Sequence, residues 1–358
     1  MFSSTPVVYT VGNEYQILLY TRSPAYVKIR IGKKEFDDCV CGVMRSAKGM
    51  RRITVPKTML DGCGEYTVIV QHILKRAAYG TKIIRATKKK YVFRPVVTGE
   101  TVRAFMVGDS HGDEDRALEA AQTFGKFDFL ILNGDIPNKC DNVRDFETAH
   151  NIAAKLSGGR IPVVFAKGNH ENRGAAAELM FDYIPLNNGR TYYTFRIGGI
   201  WGLVLDCGED KTDDNREYGS SVRFHAFRQE QTDYIRKVIA NAGSEYEAEG
   251  IEHRIVVVHI PFVMKMGELF SIEEEIYGEW TELLRKINPD AIISAHTHRF
   301  RILREGDKSL RFSAPCPTVI GTERCDDYLG GAGFIFEKYG ITVNYTTSKG
   351  ETVLSERI

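Results

Sequence analysis

No stretch of the 358-residue chain reaches the roughly 20 consecutive apolar residues that a membrane-spanning helix needs. Its first residues, MFSSTPVVYTVGNEYQ, lack the basic segment and apolar core of a secretory signal, so a cytoplasmic protein is expected. Cysteine is sparse: seven residues, an odd number, with Cys39 and Cys41 the only close pair. A lone C-x-C makes a poor metal site, and scattered thiols argue against a disulfide framework. Internal repeats and low-complexity tracts are also missing.

Acidic residues are scarce in one part of the chain only. Residues 1–98 hold six Asp+Glu against 18 Lys+Arg, a net of +12, whereas residues 99–358 hold 41 against 30, a net of −11. The overall charge of +1 conceals this division. Such asymmetry fits either a polyanionic partner for the basic part or attraction between the two parts.

The two parts also differ in pattern. Residues 1–97 contain short alternating runs (VVYTV, YQILLYT, AYVKIRI, RRITVP, EYTVIVQHI, TKIIRAT, KYVFRPV) separated by Gly, Pro, Asn and Lys, with no helical period. That spacing predicts an all-β domain over 1–98, a sandwich of the fibronectin or immunoglobulin type. In EYTVIVQHI both alternating sets are apolar, which suits a central strand, and His72 within it reads as structural. Pro95–Thr101 is the expected boundary. Beyond it, apolar runs at Val102–Val107, Phe127–Leu132, Ile161–Ala166, Arg254–Val258 and Ala291–Ser294 alternate with helical patterns at Asp113–Phe124, Arg144–Leu156, Phe227–Ala242 and Ile272–Ile287. TYYTFRIGGIWGLVLDCG reads as a hairpin about Gly198-Gly199. Residues 99–358 are therefore expected to form an α/β domain with a mixed sheet. Gly330-Gly331-Ala332-Gly333 is no phosphate-binding loop, having no following Lys-Ser/Thr, and reads as a turn.

Each of the five runs ends in polar residues: GDSHGD with Asp109 and His111, LNGDIPN with Asp135, AKGNHENR with Asn169 and His170, VVVHIPF with His259, and SAHTHRF with His296 and His298. Ligands of open α/β sheets bind beyond the carboxyl ends of the strands, so these groups are expected to converge. Five of the nine His of the chain lie in these motifs. Gly108-Asp109-Ser110-His111-Gly112 also fits G-x-S-x-G, the turn that presents the nucleophile of serine hydrolases. On an extended segment, however, Asp109 and His111 face one way and Ser110 the other. His296 and His298 make a second such pair, and two pairs suit metals better than a triad that needs one base and one acid.

These motifs, in this order, resemble the calcineurin-like metallophosphoesterase superfamily over about Ala104 to Ile320. The resemblance implies a double β-sandwich flanked by helices around a dinuclear metal centre. It implies a first metal held by Asp109, His111, Asp135 and His298, and a second held by Asp135, Asn169, His259 and His296, with Asp135 bridging. His170 corresponds to the catalytic His of the family. The implied reaction is hydrolysis of a phosphate mono- or diester by a metal-bound hydroxide. With two carboxylates among seven ligands, two divalent ions and one hydroxide leave a centre of about +1, attractive to a phosphate. Imidazole-rich ligation favours Zn, Fe, Mn, Co or Ni. The alternatives are a metal-binding scaffold without turnover, and a serine hydrolase using Ser110.

The domain order also resembles that of purple acid phosphatases. Those enzymes lack the first-motif His and place a Tyr where this chain has Asn138, so no purple charge-transfer band is expected. Asn138-Lys139 stands where Ser/Thr protein phosphatases have Asp-Arg, and Ala295 stands where the family has Gly. Arg173 reads either as a phosphate contact or as a surface residue. The stretches Cys207–Val222 and Phe262–Leu269 are expected to rim the pocket.

Overall fold

The computed structural model describes residues 3–358. Two large sheets stack face to face, and helices cover their outer faces. In the first sheet the strands run in the order Thr352–Arg357, Gly340–Thr347, Leu329–Glu337, Val102–Val107, Phe129–Asn133, Pro162–Ala166, Val7–Val11, Glu14–Thr21 and Gly49–Pro56. In the second the order is Tyr193–Ile197, Ile200–Leu205, His253–Val258, Ala291–Ser294, Thr318–Ile320 and Arg301–Leu303. The inner faces meet in one core. Ala104, Met106, Phe129, Ile131 and Val164 come from the first sheet, and Phe195, Val204, Ile255, Val257 and Ile293 from the second. All are strand residues buried on both sides, which is why the runs read as continuously apolar rather than alternating.

The outer face of the first sheet packs on the helices Glu114–Phe124 and Val143–Ser157. That of the second packs on Phe224–Ala240 and Glu274–Ile287. Asp113 caps the first helix by accepting the Arg116 N–H, and Asn142 and Asp145 form a capping box on the second. These α/β elements lie close to the runs and periods read from the sequence, including the hairpin Tyr193–Leu205 about Gly198-Gly199. The Gly330–Gly333 segment is not a turn. It lies inside the strand Leu329–Glu337, where a Cβ on Gly331 would approach the Phe105 ring to 2.5 Å and one on Gly333 the Phe124 ring to 2.0 Å.

All seven runs of the basic part contain strands, but the short strands Lys34–Asp37, Cys39–Val40 and Val43–Met44 and the helix Lys57–Cys63 also occur there. The sandwich shares a sheet with the rest of the molecule. Val7–Val11 pairs in parallel with Pro162–Ala166, through Val8 with Pro162 and Tyr9 with Val163. The opposing sheet runs Thr87–Val92, Glu65–Ala77, Ala25–Ile31 and Lys34–Asp37, so Glu65–Ala77 is a central strand. Ile17, Leu19, Val27, Ile29, Val55, Tyr66 and Phe93 fill the space between these two sheets. His72 is buried with Nδ1 3.1 Å from Ser23 Oγ.

Candidate metal centre

The strands Val102–Val107, Phe129–Asn133, Pro162–Ala166, His253–Val258 and Ala291–Ser294 end on one side of the molecule, and the loops that follow meet there. Asp109, Asp135, Asn169 and His259 are buried. One ligand atom each from Asp109, His111 and His298 lies within 4.8 Å of the others, and the same holds for Asp135, His259 and His296 and for His111, Asp135 and His170. Asp135 belongs to two of these groups. Asn169 joins through its Oδ1, 3.1 Å from His296 Nδ1. All eight residues singled out from the sequence therefore converge.

The backbone achieves this by a different route from the extended alternation expected. Asp109, His111, Asp135, His296 and His298 all have positive φ, between 46° and 69°. This left-handed region is strained for residues with a Cβ, and such strain persists where the surrounding structure over-determines it. Three of the five loops, those after Val102–Val107, Phe129–Asn133 and Ala291–Ser294, thus leave their strands through left-handed residues. The spacing of two is preserved because both members of each pair are left-handed, not because they share a pleat.

Close backbone approach is also required. A Cβ on Gly134 would lie 2.4 Å from His259 Nδ1, and one on Gly168 would lie 2.3 Å from Asp135 Oδ1. The Ala295 methyl is accommodated because position 108 is Gly: a Cβ there would come within 3.1 Å of it.

Two buried polar atoms end at the centre without a hydrogen bond among the described residues: Asp109 Oδ1 and His259 Nε2. His259 Nε2 lies 3.2 Å from Asp135 Oδ2 and 3.8 Å from Asp109 Oδ1. Burial opposes charge on His259, but Asp135 and Asp109 outweigh it and push its pKa up to about 10. Burial lowers His111 and His296 to about 4 each. Burial also opposes ionisation of Asp135, yet the imidazole of His259 holds its carboxyl well below the ordinary range. The anionic oxygens of Asp109 and Asp135 beside the neutral imidazoles of His111 and His296 form a donor set suited to transition-metal ions, and a bound ion would displace the proton that His259 holds without it.

A family model described as calcineurin-like phosphoesterase matches residues 102–300. The chain belongs to this family. The serine/threonine-protein phosphatase CPPED1 of Mus musculus is 26% identical over 208 residues, 54% of this chain and 62% of that protein. A probable cyclic nucleotide phosphodiesterase of Fibrobacter succinogenes is 23% identical over 133 residues, 33% of this chain and 50% of its own. The matches thus span at most about three fifths of these relatives. Purple acid phosphatase PPD1 from yellow lupin seeds superposes with a TM-score of 0.67 over 100% of this chain and 74% of its own, at 12% identity. That shows a shared fold.

Around the family motifs stand residues that pattern reading missed. Glu171, buried in GNHE, accepts backbone N–H bonds from Asp135 at 2.9 Å, Ile136 at 3.0 Å and Gly168 at 3.0 Å. Thr322 Oγ1 donates to Asp109 Oδ2, which also accepts the His296 N–H at 2.9 Å. Arg324 Nη1 donates to the Ser110 carbonyl at 2.6 Å. The Asn133 carbonyl fixes His259 through Nδ1 at 2.7 Å, and the Asn138 carbonyl fixes His170 through Nδ1 at 2.6 Å. Glu171, Asn133 and Asn138 lie within the quoted motifs, whereas Thr322 and Arg324 are defined by contact alone.

Contacts define the surroundings of two further residues. Ser110 is buried and its Oγ donates to the Ile136 carbonyl at 3.0 Å, and among the described residues no imidazole is hydrogen-bonded to it. The serine-hydrolase alternative has no support. Arg173 is held in place: Nε and Nη2 clamp Glu209 at 2.9 and 2.6 Å, and Nη1 lies 3.3 Å from His170 Nε2. Within Cys207–Val222, Asp210 reaches the centre, 3.8 Å from His296 Nε2. Phe262 and Val263, by contrast, are core residues rather than rim.

Proposed function

We propose that the chain is a dinuclear metal-dependent phosphoesterase. Asp109, His111, Asp135 and His298 would hold one ion, and Asp135, Asn169, His259 and His296 the other, as Mn, Fe, Zn, Co or Ni. The observation that carries this reading is the membership of Asp135 in two adjoining ligand groups, beside buried Asp109 Oδ1 and His259 Nε2, which have no hydrogen bond among the described residues. Two bound ions would supply an activated water and neutralise charge on the phosphate.

The chain's own residues organise the rest. The His170 N–H holds Asp135 Oδ1 at 2.8 Å, leaving Oδ2 turned to His259. The Asn138 carbonyl commits His170 Nδ1 as a donor, so Nε2 is the atom that exchanges a proton with the leaving oxygen. Arg173, anchored by Glu209, places a fixed cation beside Nε2, where a phosphate oxygen carries its charge. We read residues 1–98 as a basic sandwich module of the fibronectin type, fused by sheet pairing to a catalytic region 99–358, and working in the cytoplasm. A polyanionic substrate is compatible with that module. The names of the relatives divide between a phosphoprotein phosphatase and a cyclic nucleotide phosphodiesterase, so both ester classes belong in the test.

Metal-reconstituted protein should be assayed on a panel of phosphate mono- and diesters. Turnover is expected to vanish with chelator and with His170→Ala, and to survive a fluorophosphonate and Ser110→Ala. No turnover on any ester by metal-loaded protein would make the centre a scaffold, and loss of activity in Ser110→Ala with Asp109→Asn active would sink the metal reading.

A further inference from the structure

The strand Glu65–Ala77 outruns its sheet. It pairs with Ala25–Ile31 as far as His72 and with Thr87–Val92 as far as Val70. Beyond that it pairs with Gly80–Ile83 alone, making a hairpin that projects from the sandwich. Every residue from Leu74 to Arg85 is exposed. Four of them are large and apolar: Leu74 at 60%, Tyr79 at 103%, Ile83 at 43% and Ile84 at 39% of full exposure. Between them stand Lys75, Arg76, Lys82 and Arg85. From Leu74 to Arg94 the chain has eight Lys+Arg and no Asp or Glu.

A second exposed hairpin, Cys39–Val40 with Val43–Met44, lies beside the first, because Arg76 donates to Ser46 Oγ. It presents Val40 and Val43, also more than half exposed. Lysines on the edge strand Thr87–Val92 guard against strand pairing, and that accounts for Lys88–Lys90. It does not account for aliphatic side chains held in water between cations.

The placement is specific. Val7–Val11 runs parallel to Pro162–Ala166, whose carboxyl end leads into Asn169 and His170. Glu14–Thr21 runs back to the other end of the molecule, where Thr21 pairs with Gly49. Ala25 pairs with His72 at that same end, and the hairpin leaves from there. It therefore points away from the metal centre.

We propose that these two hairpins dock the protein on an anionic phospholipid bilayer. Leu74, Tyr79, Ile83 and Ile84 enter the headgroup layer, and Lys75, Lys82 and Arg85 meet the lipid phosphates. Basic residues next to interfacial aliphatic and aromatic groups bind by two additive terms, charge attraction and apolar burial. Charge complementarity also sets orientation: an anionic surface attracts the +12 of residues 1–98 and repels the −11 of the remainder. The metal centre then faces solution. A nucleic acid would use the cations and the ring of Tyr79, but gains nothing from Leu74, Ile83 and Ile84. The proposal does not depend on the reaction at the metal centre.

The test is co-sedimentation of the full chain with phosphatidylcholine vesicles, with and without phosphatidylserine. Binding is expected only to the mixed vesicles. The triple variant Lys75→Glu/Lys82→Glu/Arg85→Glu should bind on the order of a hundredfold more weakly. Tyr79→Ser/Ile83→Ser should lose roughly tenfold at unchanged charge. Tyr79→Trp should show blue-shifted emission on mixed vesicles, above a constant background from buried Trp201 and Trp280. Because the hairpin is exposed throughout, unchanged thermal unfolding of the variants is the control for folding. The proposal is overturned if mixed vesicles do not bind, or if Tyr79→Ser/Ile83→Ser binds them like the intact chain. It is equally overturned if a single-stranded oligonucleotide binds while vesicles do not, or if the hairpins instead mediate self-association in sedimentation equilibrium.

Discussion

Glu171 grips the peptide of Asp135. Its carboxylate accepts the N–H of Asp135 at 2.9 Å and that of Ile136 at 3.0 Å, and the same Oε2 takes the Gly168 N–H at 3.0 Å. Two of the five motif loops are thereby locked together by one buried side chain. Asp135 sits at positive φ, a conformation that needs such external support. Burial, with the Asp135 charge adding to it, pushes the Glu171 pKa up to about 7. Three N–H donors compensate a group that is otherwise expensive to bury.

Glu171→Ala leaves three buried N–H groups unpaired. At roughly 1–3 kcal/mol for each, the loss should amount to at least about 3 kcal/mol of stability, with metal content falling in parallel. Glu171→Gln keeps one oxygen for two of the donors and turns an amide NH2 toward the third, so an intermediate loss is expected. Urea unfolding with metal analysis of the purified variants checks both. Equal stability of Glu171→Ala and the intact chain would remove Glu171 from this role.

What the sequence revealed follows the physics of each feature. The strands Val102–Val107 and Pro162–Ala166 were legible because buried strands read as apolar runs, and Asp109, His111, Asp135, Asn169, His259, His296 and His298 because they end such runs. The left-handed backbone at Asp109 and His296 was not legible. Asp and His adopt positive φ more readily than most residues, but what holds it here is the bonding of Thr322 and the His296 N–H to Asp109, between residues distant in sequence. The sharing of one sheet between Val7–Val11 and Pro162–Ala166 was hidden for the same reason: an edge strand of a sandwich and an inner strand of a larger sheet look alike until the partner 154 residues away is known. The anchoring of Arg173 on Glu209 was hidden as well, because the two residues come from separate loops.

Thr322→Val removes the hydroxyl that donates to Asp109 while keeping its shape. Asp109 Oδ2 retains the His296 N–H, so the fold should lose only about 1 kcal/mol. Metal affinity should fall roughly 10–100-fold, as for other groups that orient a ligand. Thr322→Ser should restore it. Calorimetric titration with Mn checks the order intact chain, Ser, Val. A Val variant with undiminished affinity would show that Asp109 needs no such support.

Arg173→Ala deprives Glu209, 1% exposed, of its cation, although the Tyr218 hydroxyl at 3.1 Å remains. A loss of roughly 3 kcal/mol is expected from the uncompensated carboxylate, along with reduced kcat. The double variant Arg173→Ala/Glu209→Gln should recover most of the stability but not the kcat, because the cation beside His170 is still missing. Recovery of both would mean that Arg173 acts only through the fold.

His150 supplies a pH dependence away from the metal centre. It is buried beneath Tyr20, with ring centroids 5.4 Å apart, and its Nε2 lies 2.9 Å from the Thr5 carbonyl. Burial lowers its pKa from the ordinary 6.5 to about 4. Between these values the unfolded chain takes up a proton that the folded chain refuses. Stability from this group is therefore complete above about pH 6.5 and is lost as pH falls toward 4, by up to roughly 3 kcal/mol. His150→Phe cannot take up that proton, so the difference in unfolding free energy between variant and intact chain should shift in favour of the variant across this window. Comparing the pair cancels the titration of the metal ligands, which both share. Urea unfolding at pH 7 and pH 4.5 measures the shift. If the two stability curves stay parallel, His150 takes up its proton equally in the folded and unfolded chain, and the Thr5 carbonyl and Ser4 hydroxyl around Nε2 offset the cost of its burial.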